Sequence, residues 1–167
     1  PEVARLVPSP GVSAERLLGI AAAIEQGSEH PLAAAIGERA RADGVALPAA
    51  TGFEAVAGHG AHAHVEGELA VVGKRGLLAD HGIDLAPLAA IADEAAAAAQ
   101  TPVFVAHGRT LLGLIAVADP IRAESAAAVA GLAKRGIEVW LVSGDEQRVV
   151  DAVGREVGIP ADHVIAG

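Results

Sequence analysis

Apolar positions recur at Leu17, Ile20, Ala21 and Ile24, the spacing of one helical face, and Ser13 precedes them as an N-cap. Gly27 ends that helix. Ser28 can cap a second helix, with Pro31 tolerated in its first turn, that carries Leu32, Ala35, Ile36 and Ala40 and stops at Asp43-Gly44. Ahead of both, residues 1–12 read as extended, broken by Pro8, Pro10 and Gly11. The pattern becomes strand-like over residues 52–57, and Gly58-His59-Gly60 interrupts it. Two apolar-rich runs, 61–65 and 69–72, flank Glu66-Gly67, which reads as a hairpin turn. A short helix over 75–80 and an Ala-rich helix over 87–100 follow. A second hairpin spans 103–106 and 110–117 and turns at His107-Gly108. This is an α+β pattern, an antiparallel sheet flanked by helices.

The last third changes character. Residues 114–118 read as a strand ending at Asp119-Pro120, and 124–135 as a helix closed by Gly136. Residues 137–142 form a nearly continuous apolar run, as expected of a strand buried on both faces. It ends at Ser143-Gly144-Asp145, and a helix over 147–157 stops at Gly158. Strand, helix, strand, helix predicts a partial α/β segment with a parallel, doubly wound sheet. The expected division is therefore 1–113 and 114–167, with no internal repeat and no disordered linker.

Composition narrows the function classes. The 167 residues are 52% hydrophobic, almost all aliphatic, with only Phe53, Phe104 and Trp140 as aromatics. The net charge is −9, with Lys and Arg scattered, so neither a phosphate-tracking basic patch nor a base-stacking platform is present and nucleic acid is not an expected partner. The absence of cysteine excludes disulfides and thiolate metal sites. No run approaches the ~20 apolar residues that cross a bilayer, and no signal peptide is evident. Methionine is absent, and the first residue is Pro1, so the chain is read as a fragment.

Four segments carry candidate chemistry. Ser28-Glu29-His30-Pro31-Leu32 puts a carboxylate and an imidazole at a helix start, where free N–H groups favour anions; simple capping would explain it too. Gly58-His59-Gly60 lets a ligand approach the backbone closely, or is a β-bulge. Val72-Gly73-Lys74-Arg75 runs from a strand into a helix with two cations, which reach a phosphate or remain solvated. Ser143-Gly144-Asp145 sits at the carboxyl edge of a parallel strand, where α/β folds bind ligands, and equally suits a helix cap.

In this order the segments resemble one family, the heavy-metal-transporting P-type ATPases, over nearly the whole chain. Glu29 and His30 match that family's nucleotide-contacting pair, Gly58 and Gly60 its Gly-x-Gly, and Gly73 the glycine of its Gly-Asn pair, with Lys74 in place of the Asn. Ala118-Asp119-Pro120-Ile121-Arg122 resembles the hinge-side segment, which adds Asp119 and Arg122 to the expected binding residues. Ser143-Gly144-Asp145 resembles the Thr-Gly-Asp motif, with Glu146 where Asn is usual.

The resemblance implies a nucleotide-binding domain followed by part of a phosphorylation domain. It implies ATP and Mg²⁺ as ligands and catalysis by positioning and charge stabilisation. Ser143 and Asp145 would support the phosphoryl site. The acceptor Asp of the family's Asp-Lys-Thr-Gly-Thr sequence does not occur in this chain, so the chain alone is expected not to form a phosphoenzyme. The implied partners are the remaining phosphorylation, actuator and transmembrane domains of the pump, with this part on the cytoplasmic side. The implied cargo is copper(I), with zinc, cadmium or cobalt as alternatives. Two other readings remain open. His59, His62 and His64 form a His-x-x-His-x-His cluster suited to Zn²⁺, Ni²⁺ or Cu²⁺ in a regulatory metal-binding domain. The last third also suits a haloacid dehalogenase-type phosphatase.

Overall fold

The computed structural model describes residues 1–167. Six strands form one antiparallel sheet: β1 (Glu2–Pro8), β2 (Ala50–Val56), β3 (Gly60–Val65), β4 (Glu68–Gly73), β5 (Gln100–His107) and β6 (Thr110–Ala118), in the order β1-β6-β5-β4-β3-β2. β1 and β6, the first and last strands in sequence, are neighbours. The chain therefore enters and leaves this sheet at one place, where Glu2 pairs with Ala118.

Alternation along the strands divides the core in two. On one face, Ala61, Ala63, Val65, Val72, Val105, Ile115 and Val117 pack under α1 (Ala14–Glu25) and α2 (Pro31–Ala42). α1 lies between the sheet and α2, so every residue from Leu17 to Ile24 is buried, and its many alanines let the layers approach. On the other face, Val71, Phe104, Leu114 and Ala116 pack under α3 (Arg75–Asp80) and α4 (Ala89–Ala97). Burying each large side chain such as Leu18, Ile36 or Phe104 contributes roughly 1.5–3 kcal/mol. Glu66 and Gly67 both adopt positive φ, 52° and 84°, the geometry of a tight hairpin turn, as expected.

Beyond the sheet come α5 (Ser125–Ala133), β7 (Leu141–Ser143), α6 (Gln147–Val157) and β8 (Val164–Ala166). β7 and β8 pair in parallel around α6, a single strand–helix–strand unit.

Several expectations need correction. Residues 114–118 do not belong to the parallel sheet: they are the second half of β6, paired with β1 and β5, so the expected junction at 113/114 falls inside a continuous strand. The run 137–142 is not a buried strand. Only Leu141–Ser143 pairs, and Ile137, Trp140 and Val142 are 49%, 50% and 68% exposed, because β8 is the sole neighbouring strand. The parallel sheet thus has two strands rather than a doubly wound set. The helix expected over 87–100 is shorter: a 3-10 turn at Ala86–Leu88 leads into α4, and Ala99 turns to φ 55° before β5 starts at Gln100. α2 is capped by His30 rather than Ser28.

Candidate functional site

His30 is the N-cap of α2. Its Nδ1 accepts the Leu32 N–H at 3.2 Å, and its own N–H donates to Ser28 Oγ at 3.2 Å. Ser28 therefore braces the cap instead of forming it. A cap through Nδ1 requires a lone pair there, so the ring hydrogen sits on Nε2, which has no protein partner. The exposed ring thus offers a directed donor at the start of a helix, and Pro31 behind it fixes the first turn. Glu29 beside it is exposed.

The junction between α1 and α2 is held down on β2 by Phe53. A Cβ on Gly27 would lie 2.6 Å from the Phe53 ring, so glycine is what lets the aromatic lie flat under the turn. Glu25, the last residue of α1, is half-buried there. Burial pushes its carboxyl above the ordinary value, and a hydrogen bond from Ser28 opposes this in part. Glu25 and Ser28 line a cleft of about 500 Å³ between α1 and α2, whose walls do not include His30, Gly58, Gly60 or Gly73.

Gly58, at φ 73°, turns the chain in open space. Gly60 and Gly73 face each other across β3 and β4, and a Cβ on either would collide with backbone: Val72 O from Gly60, His59 O from Gly73. That close approach delivers Lys74. Its N–H donates to His59 O at 2.7 Å, and its Nζ donates to the Gly144 carbonyl at 2.7 Å. Lys74 thus joins the β3–β4 end of the large sheet to Ser143-Gly144-Asp145 at the carboxyl end of β7. Within that turn Ser143 Oγ accepts the Asp145 N–H and donates to Asp145 Oδ2, both at 3.2 Å.

So Gly60, Gly73, Lys74, Ser143 and Asp145 form one connected corner. No hydrogen bond or ion pair connects Glu29 or His30 to it. Asp119 directly follows β6, and Arg122 contributes its carbonyl to Ser125 N–H at the start of α5. The histidines of the proposed metal cluster do not gather. His62 and His64 share a sheet face, but His59 turns its Nδ1 to Ala57 O at 2.8 Å, and His62 lies 3.8 Å from Glu54 and edge-on to His81. No group of three His, Cys, Asp or Glu residues is arranged to hold a metal ion.

This architecture has known counterparts. The model of the haloacid dehalogenase-like hydrolase family matches residues 1–167. The chain belongs to the haloacid dehalogenase-like hydrolases. Within that family its likeness is to heavy-metal P-type ATPases, as the motifs implied. It is 42% identical over 146 residues, 87% of its length, to a Mycobacterium tuberculosis protein named "Probable copper-exporting P-type ATPase V". The structure of a zinc-transporting PIB-type ATPase superposes on 99% of the chain, and on 26% of its own, with a TM-score of 0.70 and 34% identity. The N-domain of HMA8, a copper-transporting P-type ATPase, matches 71% of this chain and 100% of its own, with a TM-score of 0.61 and 26% identity. The chain spans about a fifth of the length of the curated relatives it matches, 19% of the M. tuberculosis protein and 20% of a copper-transporting ATPase of Rhizobium meliloti. No helix of this haloacid dehalogenase-like chain is long and apolar enough to cross a membrane.

Sequence reasoning missed Glu25 and the ion pairs of Asp93. Asp93 on α4 receives Arg148 of α6 at 2.7 Å and Arg75 of α3 at 3.0 Å, which hold its carboxyl below the ordinary range, Arg148 foremost. Nothing local in the sequence marks these residues, since their partners lie 18 and 55 positions away (93 − 75 and 148 − 93). Glu25 had one signal: it directly follows the buried Ile24 in a helix whose other faces are taken up by apolar residues.

Proposed function

We propose that this chain is the ATP-binding part of a metal-transporting P-type ATPase, and that it presents the γ-phosphoryl group to an aspartate outside the 167 residues. The observation that carries the reading is the corner at Lys74, where a glycine pair too tight for side chains brings a cation within 2.7 Å of the Ser143-Gly144-Asp145 turn. The pair fixes where the Lys74 ammonium emerges, and an ammonium there suits a polyphosphate.

The base would bind near the start of α2, with His30 Nε2–H as donor and the open turn at Gly58, just before Gly60, leaving room for the ring. Glu29, exposed beside His30, offers its carboxyl oxygens as acceptors for the adenine N6 donor. Lys74 would meet the phosphates. Asp119 and Arg122 stay candidates for the hinge between the parts, which we place at the end of β6 rather than at 113/114.

Mg²⁺ commonly binds through one or two carboxylates with the substrate's phosphates and water completing its shell. Asp145, with one oxygen held by Ser143 and the other free, fits that requirement. Such an ion neutralises phosphate charge during transfer. Ser143 would keep Asp145 oriented and offer its hydroxyl to a phosphoryl oxygen.

In the longer protein the cycle would drive copper(I) across a membrane from the cytoplasmic side, where ATP is found; the copper-named relatives support this, and the zinc-transporting neighbour keeps zinc as the alternative. Incubation with γ-labelled ATP tests the division of labour. Label is expected on the full-length protein and absent from this chain, and stable label on the chain itself would contradict the reading.

A further inference from the structure

Asp93 on α4 bridges two arginines from different parts of the chain. Its Oδ1 receives Arg75, the first residue of α3, at 3.0 Å, and its Oδ2 receives Arg148, in the first turn of α6, at 2.7 Å. The Arg75 guanidinium lies 5.9 Å from the centre of the buried Phe104 ring, which steadies it against the sheet. Arg75 directly follows Lys74, and Arg148 lies shortly after Asp145. The bridge therefore runs alongside the bond from Lys74 Nζ to Gly144 O and joins the same two segments a second time. Val149 and Val150, which follow Arg148, are 5% and 2% exposed, so α6 is seated here on packed apolar side chains.

A single hydrogen bond sets a distance and leaves rotation about itself free; a second tie removes that rotation. Orientation matters at a phosphoryl site, where a displacement of about 1 Å can cost about 100-fold in rate. Lys74 has donors to spare: its ammonium carries three, one of which goes to Gly144 O, so the others can meet phosphoryl oxygens while the turn stays beside it. The Asp93 bridge uses none of the groups assigned to the phosphates, and it holds while they are engaged. Both of its ion pairs are partly exposed, so they contribute little to stability, and their effect is on orientation.

We propose that Asp93 is a positioning residue for phosphoryl transfer: by joining Arg75 to Arg148 it fixes the orientation of the Ser143-Gly144-Asp145 turn toward Lys74, so that Lys74, Ser143 and Asp145 meet the polyphosphate together. This role rests on the nucleotide reading above. Asp93 acts through the two arginines and touches none of the residues assigned to the base or the phosphates.

Asp93→Ala removes both ion pairs from a helix already rich in alanine. Glu94→Ala, at the next position, removes an equal charge and serves as the control. The chain lacks cysteine, so spin labels at the exposed positions Glu38→Cys on α2 and Glu156→Cys on α6 report how the two parts are held. With ATP present, the parent and Glu94→Ala are expected to give one narrow distance population, Asp93→Ala a broad one, and Asp93→Glu, which keeps the carboxylate, a narrow one again. Melting temperatures should agree within about 2–4 °C, the scale of an exposed ion pair in a chain of this size. In the full-length protein, Asp93→Ala should slow phosphoenzyme formation at saturating γ-labelled ATP about ten- to a hundredfold, with the half-saturating ATP concentration within about twofold of the parent's. Asp93→Glu should recover most of that rate. An Asp93→Ala protein that matches Glu94→Ala in distance and in rate would overturn the proposal. So would a loss of rate that comes with a large fall in melting temperature and that Asp93→Glu does not rescue. Either result leaves nucleotide binding standing if ATP still shifts the amides of His30 and Gly58. If the parent shows no such shifts and takes no label, the nucleotide reading fails and the role of Asp93 falls with it.

Discussion

Gly60 and Gly73 sit opposite each other on β3 and β4 at a separation that admits no side chain on either. The pair is the physical reason that Lys74 emerges where it does, because the Lys74 N–H is bonded to the carbonyl of His59, the residue before Gly60. Gly58, two residues earlier, is glycine for a different reason: it has positive φ and open surroundings.

The two kinds of glycine should separate on substitution. Gly60→Ala and Gly73→Ala force backbone apart in a sheet and should each cost about 2–4 kcal/mol, combining overpacking with a strained φ. Gly58→Ala meets nothing and should cost only about 1 kcal/mol. Urea unfolding at neutral pH measures both, and equal costs would refute the assignment of close approach.

His30 combines a cap and a free donor, and the two can be parted. His30→Ala should lose about 0.5–2 kcal/mol, the usual worth of an N-cap. His30→Asn keeps a capping oxygen and should restore most of that stability without restoring the imidazole Nε2–H. Thermal melts of the two variants give the comparison.

Glu25 makes stability depend on pH in an unusual direction for a carboxyl. Its folded-state pKa is raised above the unfolded value near 4.5, so the unfolded chain ionises first. Its contribution is full below that value and declines as pH rises through the raised folded value. Glu25→Gln should remove this decline and leave the chain more stable than the parent at neutral pH. Stability curves from pH 4 to 8 on both proteins would show it, and parallel curves would count against a buried Glu25.

Glu66 acts in the opposite sense. Arg16 binds it through both terminal guanidinium nitrogens, at 2.9 and 2.6 Å, and holds its pKa below the ordinary 4.5. The stability it supplies is present above that value and is lost as pH falls through the lowered one. Glu66→Gln should flatten the acid limb of the curve and leave the limb above pH 5 unchanged.

Local pattern made much of this legible. The residues of α3 and α6 were read to their ends, since an apolar stripe, a preceding polar turn and, for α6, the following Gly158 all agree. The Glu66-Gly67 turn was equally clear from its two residues. What local pattern could not give was pairing at a distance. Residues 114–118 look like the first strand of a parallel unit, yet their partners are β1, more than 100 positions away, and β5. The apolar run at 137–142 announces that it needs cover, not what covers it. In the candidate site, the glycines and His30 stood out because few residue types serve those positions. Glu25 and Asp93 did not, because an ordinary carboxylate acquires its character from neighbours brought by the fold.

The central claim is nucleotide binding at the start of α2 and the glycine pair, and an ATP titration followed by amide NMR tests it most directly. Saturable shifts centred on Glu29, His30, Gly58 and Gly60, weakened about tenfold or more in His30→Asn although its fold is intact, are the predicted result. No shifts at these residues up to millimolar ATP, or shifts that His30→Asn leaves unchanged, would contradict it.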